Sequence, residues 1–143
     1  EIHERLVGSE MCIRDRYERV DLDTLLTQSD IVSVHAPLND NTRHLMNESA
    51  FKKMKKSAIF LNLGRGPIVD EQALTDAIIN DEIMAAGLDV LDVEPMSIEN
   101  PLRKIKDSEK LIITPHIAWA SIEARTRLME IILGQIKEWA GIK

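Results

Sequence analysis

Short apolar segments rich in β-branched residues alternate along this sequence with amphipathic helical segments. Strands are predicted over residues 31–34, 58–63, 84–90 and 111–114, each followed by proline, glycine or polar residues that end it. Helices are predicted over residues 21–28 and after Asn47, Asp70 and Ser121, which suit the first position of a helix. This alternation is the feature that most limits the possible folds.

Consecutive predicted strands end 25 to 28 residues apart. One unit of strand, crossover helix and parallel strand takes about 30 residues, so the spacing fits a series of such units. Strands that are apolar throughout indicate a parallel sheet with helices on both faces. The predicted fold class is α/β.

Composition excludes several classes of protein. The chain carries 24 Asp+Glu against 18 Lys+Arg, and only residues 52–56 concentrate lysine, which argues against a nucleic-acid partner. No apolar run approaches the ~18 residues of a membrane span, and no signal peptide is recognisable, so we expect a cytoplasmic protein without a membrane partner. The one cysteine cannot form an internal disulfide, and no Cys/His cluster has the spacing of metal ligands, so no metal is expected.

Residues 1–16 show neither a helical stripe nor a strand alternation that continues into the following segment. The stretch from residue 6 to residue 16 resembles translated adapter or vector sequence, so we interpret residues 1–16 as a non-native segment. The alternative is a genuine N-terminal helix. The domain of interest is therefore predicted over residues 17–143.

The chemically distinctive side chains follow the predicted strands. These residues are His35 and Pro37 after the first strand, Gly64, Arg65 and Gly66 after the second, Asp89 and Glu94 after the third, and His116 after the fourth. Ligands of open parallel sheets bind outside the carboxyl ends of the strands. The order along the chain therefore predicts one site at that edge of the sheet.

Three of these residues could act together on a small organic anion. Arg65, between two glycines, has a planar guanidinium that can hold a carboxylate through two hydrogen bonds. A Glu94 carboxylate that reaches His116 would stabilise the protonated imidazole. A protonated histidine beside a 2-oxo acid could give its proton to the carbonyl oxygen while hydride adds to the carbon. The residues alone do not identify the source of the hydride.

Four stretches in this order resemble the motifs of the D-isomer-specific 2-hydroxyacid dehydrogenases. They are His35-Ala36-Pro37-Leu38 with Thr42, Asn62-Leu63-Gly64-Arg65-Gly66, Gly87-Leu88-Asp89-Val90 continuing to Glu94-Pro95, and Thr114-Pro115-His116-Ile117-Ala118. The resemblance covers essentially all of residues 17–143. The segment from His116 to Ser121 is most similar to the glycerate dehydrogenase and hydroxypyruvate reductase branch.

The resemblance implies roles for these residues. Arg65 would bind the substrate carboxylate, His116 would be the acid/base and Glu94 would orient it, with Asp89 near the nicotinamide. The implied cofactor is NAD, with NADP not excluded, and the implied substrates are small D-2-hydroxy and 2-oxo acids such as glycerate/hydroxypyruvate or glyoxylate. The cofactor contacts implied are His35, Pro37, Leu38, Thr42, Leu63, Gly64, Arg65, Asp89, His116 and Ala118. The parent protein would be a homodimer.

The family's glycine-rich G-x-G-x-x-G turn and the acidic residue after the next strand have no counterpart in this sequence. The family's substrate domain has no counterpart either. The sequence is therefore expected to form the second half of a truncated Rossmann-type dinucleotide-binding domain. As written, it is expected to be inactive and to bind the cofactor poorly.

Two other functions remain open from the sequence. The first is an NAD(H)-sensing protein that binds partners without catalysis, like the family's corepressor relatives, which keep similar motifs. The second is an α/β module in which the charged residues after the strands are incidental. Turnover of the complete protein with hydroxypyruvate would separate these alternatives from an enzyme.

Overall fold

The computed structural model of the chain describes residues 19–142. The main elements are α1 (Leu22–Gln28), β1 (Ile31–Val34), α2 (Glu48–Lys53), β2 (Ile59–Asn62), α3 (Glu71–Ile79), β3 (Ala85–Leu88), β4 (Leu111–Ile113) and α4 (Ile122–Trp139). Short 3-10 helices cover Gly66–Ile68 and Pro101–Lys104. The interpretation of residues 1–16 as non-native lies outside the described residues and stays a prediction.

Each α-helix begins after a side chain that caps its free backbone N–H groups. Asp21 accepts from the Thr24 N–H, and Asn47 accepts from the Ala50 N–H. Asp70 accepts from two N–H groups of α3, and Ser121 accepts from one of α4. Such caps typically contribute about 1 kcal/mol each, and they fix where the helices start.

The four strands form one parallel sheet in the order β1-β2-β3-β4. Ile31 pairs with Ile59, and Ile59 pairs with Ala85, so the first three strands begin at the same level of the sheet. Their carboxyl ends therefore meet at one edge. The α/β class and the Rossmann-type parallel sheet predicted from the sequence are confirmed.

Within residues 19–142, one face of the sheet is buried more deeply than the other. Burial alternates along the strands, so that Val32, Phe60 and Ala86 are buried while Ile31 and Ile112 on the outer strands are about 60% exposed. Strands added in one direction through right-handed crossovers place every connecting helix on the same face. Apolar residues on both faces of a strand do not reveal which face these helices cover.

The core lies between the sheet and the layer formed by α1, α2 and α3. Leu26 from α1 and Leu74 from α3 are both fully buried. Phe51 of α2 meets Phe60 of β2 edge to face, with ring centroids 5.3 Å apart and planes at 90°. This packing holds the sheet rigid beneath the loops that follow its strands.

The last helix, α4, confirms the helix predicted after Ser121 but leaves its apolar stripe exposed. Every residue of α4 is exposed to solvent, including Met129, Ile132 and Ile136. Over residues 19–142, no helix combines the length and apolar character required to cross a membrane.

Candidate active site

Four loops meet at the carboxyl edge of the sheet. They are residues 35–42 after β1, 63–66 after β2, 89–100 after β3 and 114–118 after β4. Backbone hydrogen bonds join neighbouring loops: the Leu63 N–H donates to the Val34 carbonyl, and the His116 N–H donates to the Asp89 carbonyl at 2.9 Å. The parallel topology therefore brings these loops together at one edge of the sheet, as the strand order along the sequence predicts.

The buried side-chain amide of Asn62 holds the Gly-Arg-Gly turn that follows β2. Asn62 is 1% exposed. Its Nδ2 donates to the Arg65 carbonyl at 3.1 Å, and its Oδ1 accepts from the Gly64 N–H at 3.1 Å. The side chain therefore fixes the backbone on both sides of the arginine. Sequence reasoning did not assign Asn62 a role, although a polar residue ending an apolar strand is a usable signal.

Gly66 brings this turn against the loop that follows β3. A methyl group at Gly66 would overlap the peptide that joins Leu91 to Asp92. Only glycine leaves room for this approach. The loops that carry Arg65 and Glu94 are consequently in direct backbone contact.

The Arg65 side chain itself does not reach the other two predicted catalytic residues. Its Nη1 donates to the Gly64 carbonyl at 2.8 Å. The side chain is exposed. The structure therefore places the arginine on the adjacent turn, with its guanidinium directed to its own backbone, and its role toward a ligand stays a prediction.

Glu94 and His116 are brought together. Glu94 Oε2 lies 3.0 Å from His116 Nδ1, while its Oε1 accepts from the Leu91 N–H at 2.9 Å. The Leu91 N–H and then the hydrogen bond to His116 lower the pKa of Glu94, although burial and Asp89 act in the opposite direction. An ionised carboxylate can only accept hydrogen bonds, so Nδ1 carries the hydrogen in this contact.

The histidine backbone is also set by its loop. His116 has a φ of 55°, in the left-handed region that residues other than glycine rarely occupy. The Trp119 Nε1 donates to its carbonyl at 2.9 Å. A cleft of about 430 Å³ opens beside the pair, and its walls include Glu94, Met96 and His116. The imidazole is therefore held at the wall of a cavity large enough for a small organic acid.

Asp89 organises the segment after β4. The residue is 3% exposed. It accepts from the Thr114 hydroxyl at 2.5 Å and from the N–H groups of Ile117 and Ala118 at 2.9 Å each. Burial disfavours the charged form, but these donors outweigh it and lower the pKa of Asp89. Asp89 thus holds the Thr114 side chain before His116 and the backbone after it. Its contact with the nicotinamide stays a prediction.

The loop after β1 has its own internal bonds. His35 Nε2 lies 2.8 Å from the Ser33 hydroxyl. Thr42 is 1% exposed, and its hydroxyl donates to the Pro37 carbonyl at 2.8 Å. Pro37 is exposed and Leu38 is half-buried. Thr42 therefore shapes this loop from inside.

The remaining predicted cofactor contacts lie at the same edge. Leu63 is 39% exposed beside the buried Gly64, and Ala118 is exposed with its N–H bound to Asp89. These residues offer a partly apolar surface beyond the ends of β2 and β4. Their contacts with a cofactor stay predictions.

Two further polar residues were missed by the sequence analysis. Glu71, at the start of α3, accepts from the Asp92 N–H and from Asn100 Nδ2. Their separation in the sequence left no local signal for these contacts.

Among residues 19–142, no group of three or more His, Cys, Asp or Glu side chains is arranged to hold a metal ion.

The comparison with protein families identifies this arrangement. The model described as "D-isomer specific 2-hydroxyacid dehydrogenase, NAD binding domain" matches residues 3–118. The chain belongs to this family. The family predicted from the four sequence motifs is confirmed.

A relative within the 2-hydroxyacid dehydrogenases is named glyoxylate/hydroxypyruvate reductase B, from Cronobacter sakazakii. It is 52% identical over 105 residues, which cover 73% of this chain and 32% of the relative. The chain spans about a third of the length of the curated relatives it matches, between 32% and 36% for three of them.

Solved dehydrogenase structures share the fold. The D-isomer specific 2-hydroxyacid dehydrogenase of Lactobacillus delbrueckii ssp. bulgaricus, in its NAD complexed form, matches with a TM-score of 0.73 and 32% identity over 87% of this chain and 41% of that one. The enzyme of Xanthobacter autotrophicus Py2 in complex with NADPH and MES matches with a TM-score of 0.69 and 37% identity, over 85% of this chain and 49% of that one.

The contribution of Asp89 to the free energy of unfolding is expected to depend on pH. We expect Asp89→Asn to lower the free energy of unfolding by about 1–3 kcal/mol at pH 7, because an amide cannot satisfy all three donors. Since folding lowers the pKa of Asp89, its contribution is complete above the unfolded-state pKa of ~3.9 and is lost as the pH falls through the lower folded value. Urea unfolding of the full-length protein between pH 7 and pH 3 measures this.

The difference between wild type and Asp89→Asn is expected to shrink on the acidic side of pH ~4. Asp40→Asn, at an exposed aspartate of the loop after β1, is the matched control and is expected to change little at any pH. A difference for Asp89→Asn that stays constant down to pH 3 would contradict the assignment.

Proposed function

We propose that the full-length protein transfers a hydride between a nicotinamide dinucleotide and a small D-2-hydroxy or 2-oxo acid, of the glycerate/hydroxypyruvate or glyoxylate type. The observation that carries the proposal is the Glu94–His116 contact of 3.0 Å at the wall of a cleft, on the sheet edge where such domains bind ligands. Relatives named hydroxypyruvate reductase and glyoxylate reductase support the substrate class.

His116 acts as the acid/base. Because Nδ1 is bound to the Glu94 carboxylate, Nε2 is the ring nitrogen left to exchange a proton with a substrate. In the reducing direction the protonated imidazole gives this proton to the substrate's carbonyl oxygen. In the oxidising direction the neutral imidazole removes the hydroxyl proton, and Glu94 stabilises the charge that forms on the ring.

Arg65 binds the substrate carboxylate. Its guanidinium is exposed, and among residues 19–142 it donates to the neutral Gly64 carbonyl. A substrate carboxylate would offer stronger, charge-assisted bonds. The backbone contact at Gly66 keeps the Arg65 turn against the Glu94 loop. A carboxylate held by Arg65 would place the adjacent 2-oxo group toward the acid/base pair.

The described edge of the sheet fits part of a nicotinamide dinucleotide. The exposed Pro37 and Leu63 follow neighbouring strands, and such apolar side chains can pack against a flat ring. His35, Leu38, Thr42, Gly64 and Ala118 would shape the same surface. When bound, the nicotinamide supplies or accepts the hydride. The residues do not discriminate NAD from NADP.

The experiment is a steady-state assay of the full-length protein with hydroxypyruvate and glyoxylate, each with NADH and with NADPH. We expect turnover in the ordinary range of enzymes, about 1 to 1,000 per second, with at least one pair. Cofactor binding with turnover thousands of times slower would favour the non-enzymatic sensor. The cytoplasmic location expected from the sequence and the homodimer implied by the resemblance both stay predictions.

A further inference from the structure

The loop that carries Glu94 is long and has little regular structure of its own. It runs from the end of β3 at Leu88 to the 3-10 helix Pro101–Lys104. Glu94 itself is half exposed, with its side chain 39% accessible. A side chain in such a loop keeps a fixed position only if the loop backbone is anchored elsewhere.

Glu71 provides an anchor at each end of this segment. Its Oε1 accepts from the Asp92 N–H at 2.8 Å, and its Oε2 accepts from Asn100 Nδ2 at 2.7 Å. Asn100 is 8% exposed, and its Oδ1 accepts from the Leu102 N–H at 2.9 Å. One carboxylate on the first turn of α3 therefore ties both ends of residues 92–100 to the rigid helix layer.

The N–H that Glu71 binds, that of Asp92, lies two residues before Glu94 and next to the Leu91 N–H in the chain. The neighbouring N–H, that of Leu91, donates to Glu94 Oε1 at 2.9 Å. The other oxygen of Glu94 contacts His116. The Asp92 N–H belongs to the peptide that joins Leu91 to Asp92, and the Leu91 N–H belongs to the adjacent peptide on the other side of the Leu91 Cα. Moving the first peptide would therefore displace the second, which carries the donor that aligns Glu94.

We propose that Glu71 is a positioning residue for the Glu94–His116 pair, acting through the backbone of the 92–100 loop. This inference rests on the proposed function. Glu71 touches neither the pair nor the cleft, so its effect is on the reaction step and not on cofactor binding. A misplacement of about 1 Å in a catalytic group can cost up to a hundredfold in rate.

An exchange of hydrogen-bonding groups between two residues tests the proposal. In Glu71→Gln the new Nε2 faces the Asn100 Nδ2, and two donors meet. In Asn100→Asp a second carboxylate faces Glu71. In the double variant the introduced glutamine accepts from the Asp92 N–H through its Oε1 and donates through its Nε2 to the carboxylate that replaces the Asn100 amide. The other oxygen of that carboxylate still accepts from the Leu102 N–H.

In the full-length protein, we expect each single variant to lower kcat about tenfold, while the dissociation constant of NADH changes less than about twofold. The double variant is expected to recover kcat to within about threefold of the wild type. Asp76→Asn is the matched control, because Asp76 is an exposed carboxylate of α3 whose side chain accepts a hydrogen bond from Gln72, outside the 92–100 loop.

A second readout does not depend on turnover. Hydrogen exchange of the Leu91 amide reports its bond to Glu94. We expect this exchange to accelerate in Glu71→Gln and to return toward the wild-type rate in the double variant. If Glu71 only stabilised α3, the single variants would lower the global stability of the protein. The Leu91 amide would then not exchange selectively faster in Glu71→Gln, nor recover in the double variant.

The outcomes separate this inference from the proposed function. A wild-type protein that does not reduce any 2-oxo acid removes the proposed function, and the Leu91 exchange then decides the positioning of Glu94 alone. Single variants with wild-type kcat and wild-type Leu91 exchange would overturn the role of Glu71. A double variant no better than either single variant would also overturn it.

Discussion

Replacing His116 with alanine is expected to lower kcat/KM for a 2-oxo acid at least a hundredfold. The substitution removes the only imidazole that contacts the cleft among the described residues, and general acid/base catalysis typically contributes ~100 to 10,000-fold. The dissociation constant of NADH is expected to change far less than kcat/KM, because most of the lost interaction belongs to the transition state. Steady-state kinetics of the full-length protein, with a separate cofactor titration, measure both quantities.

Two variants make the His116 result specific. Glu94→Gln keeps an acceptor for the Leu91 N–H but removes the negative charge beside the imidazole, so a smaller loss is expected than for His116→Ala. His44→Ala changes an exposed histidine that does not line the cleft, and it is expected to leave kcat/KM unchanged. If His116→Ala retained wild-type kcat/KM, the charged residues that follow the strands would have no role in catalysis.

Replacing Arg65 with alanine is also expected to reduce kcat/KM by at least a hundredfold, but mainly by raising KM. Loss of the guanidinium removes the groups that hold the substrate carboxylate, so the KM for the 2-oxo acid is expected to rise strongly. Arg65→Lys keeps the charge but loses the planar pair of donors, and an intermediate loss is expected. Kinetics with hydroxypyruvate over a wide concentration range separate KM from kcat.

The control for Arg65 is Arg43→Ala, at an exposed arginine of the loop before α2. It removes the same charge from the protein without touching the proposed site. Equal losses for Arg43→Ala and Arg65→Ala would indicate a general electrostatic effect on anion attraction. An unchanged KM in Arg65→Ala would contradict carboxylate binding by this residue.

Local patterns in the sequence were sufficient for the elements and their order. Asn47, Asp70 and Ser121 each cap the helix predicted after them, because capping depends on residues within three positions. The strands end at Val34, Asn62, Leu88 and Ile113, within two residues of the predicted ends. The parallel topology then follows from the strand and helix spacing.

Contacts between distant residues were beyond local patterns. Asp89 was predicted beside the nicotinamide, and the structure shows its carboxylate occupied by donors 25 to 29 residues away. Glu71 reaches Asp92 across 21 residues and Asn100 across 29. An acidic residue in the first turn of a helix has an ordinary explanation in the helix dipole, so the sequence gives no reason to look further.

The proximity of Glu94 and His116 could be predicted, whereas the orientation of Arg65 could not. The first follows from neighbouring parallel strands, β3 and β4, whose loops must lie side by side. The second depends on rotation about four side-chain bonds, and in this structure the guanidinium donates to the Gly64 carbonyl. We expect the guanidinium to leave this carbonyl when a substrate binds, because charge-assisted bonds to a carboxylate are stronger than a bond to a neutral carbonyl.

That movement is the most direct test of the account. A crystal structure of the full-length protein with cofactor and an unreactive 2-oxo acid analogue is predicted to show the Arg65 guanidinium released from the Gly64 carbonyl and ~3 Å from the analogue's carboxylate. The oxygen next to that carboxylate is predicted within hydrogen-bond distance of His116. An analogue bound elsewhere, with Arg65 still on the Gly64 carbonyl, would contradict the proposed site.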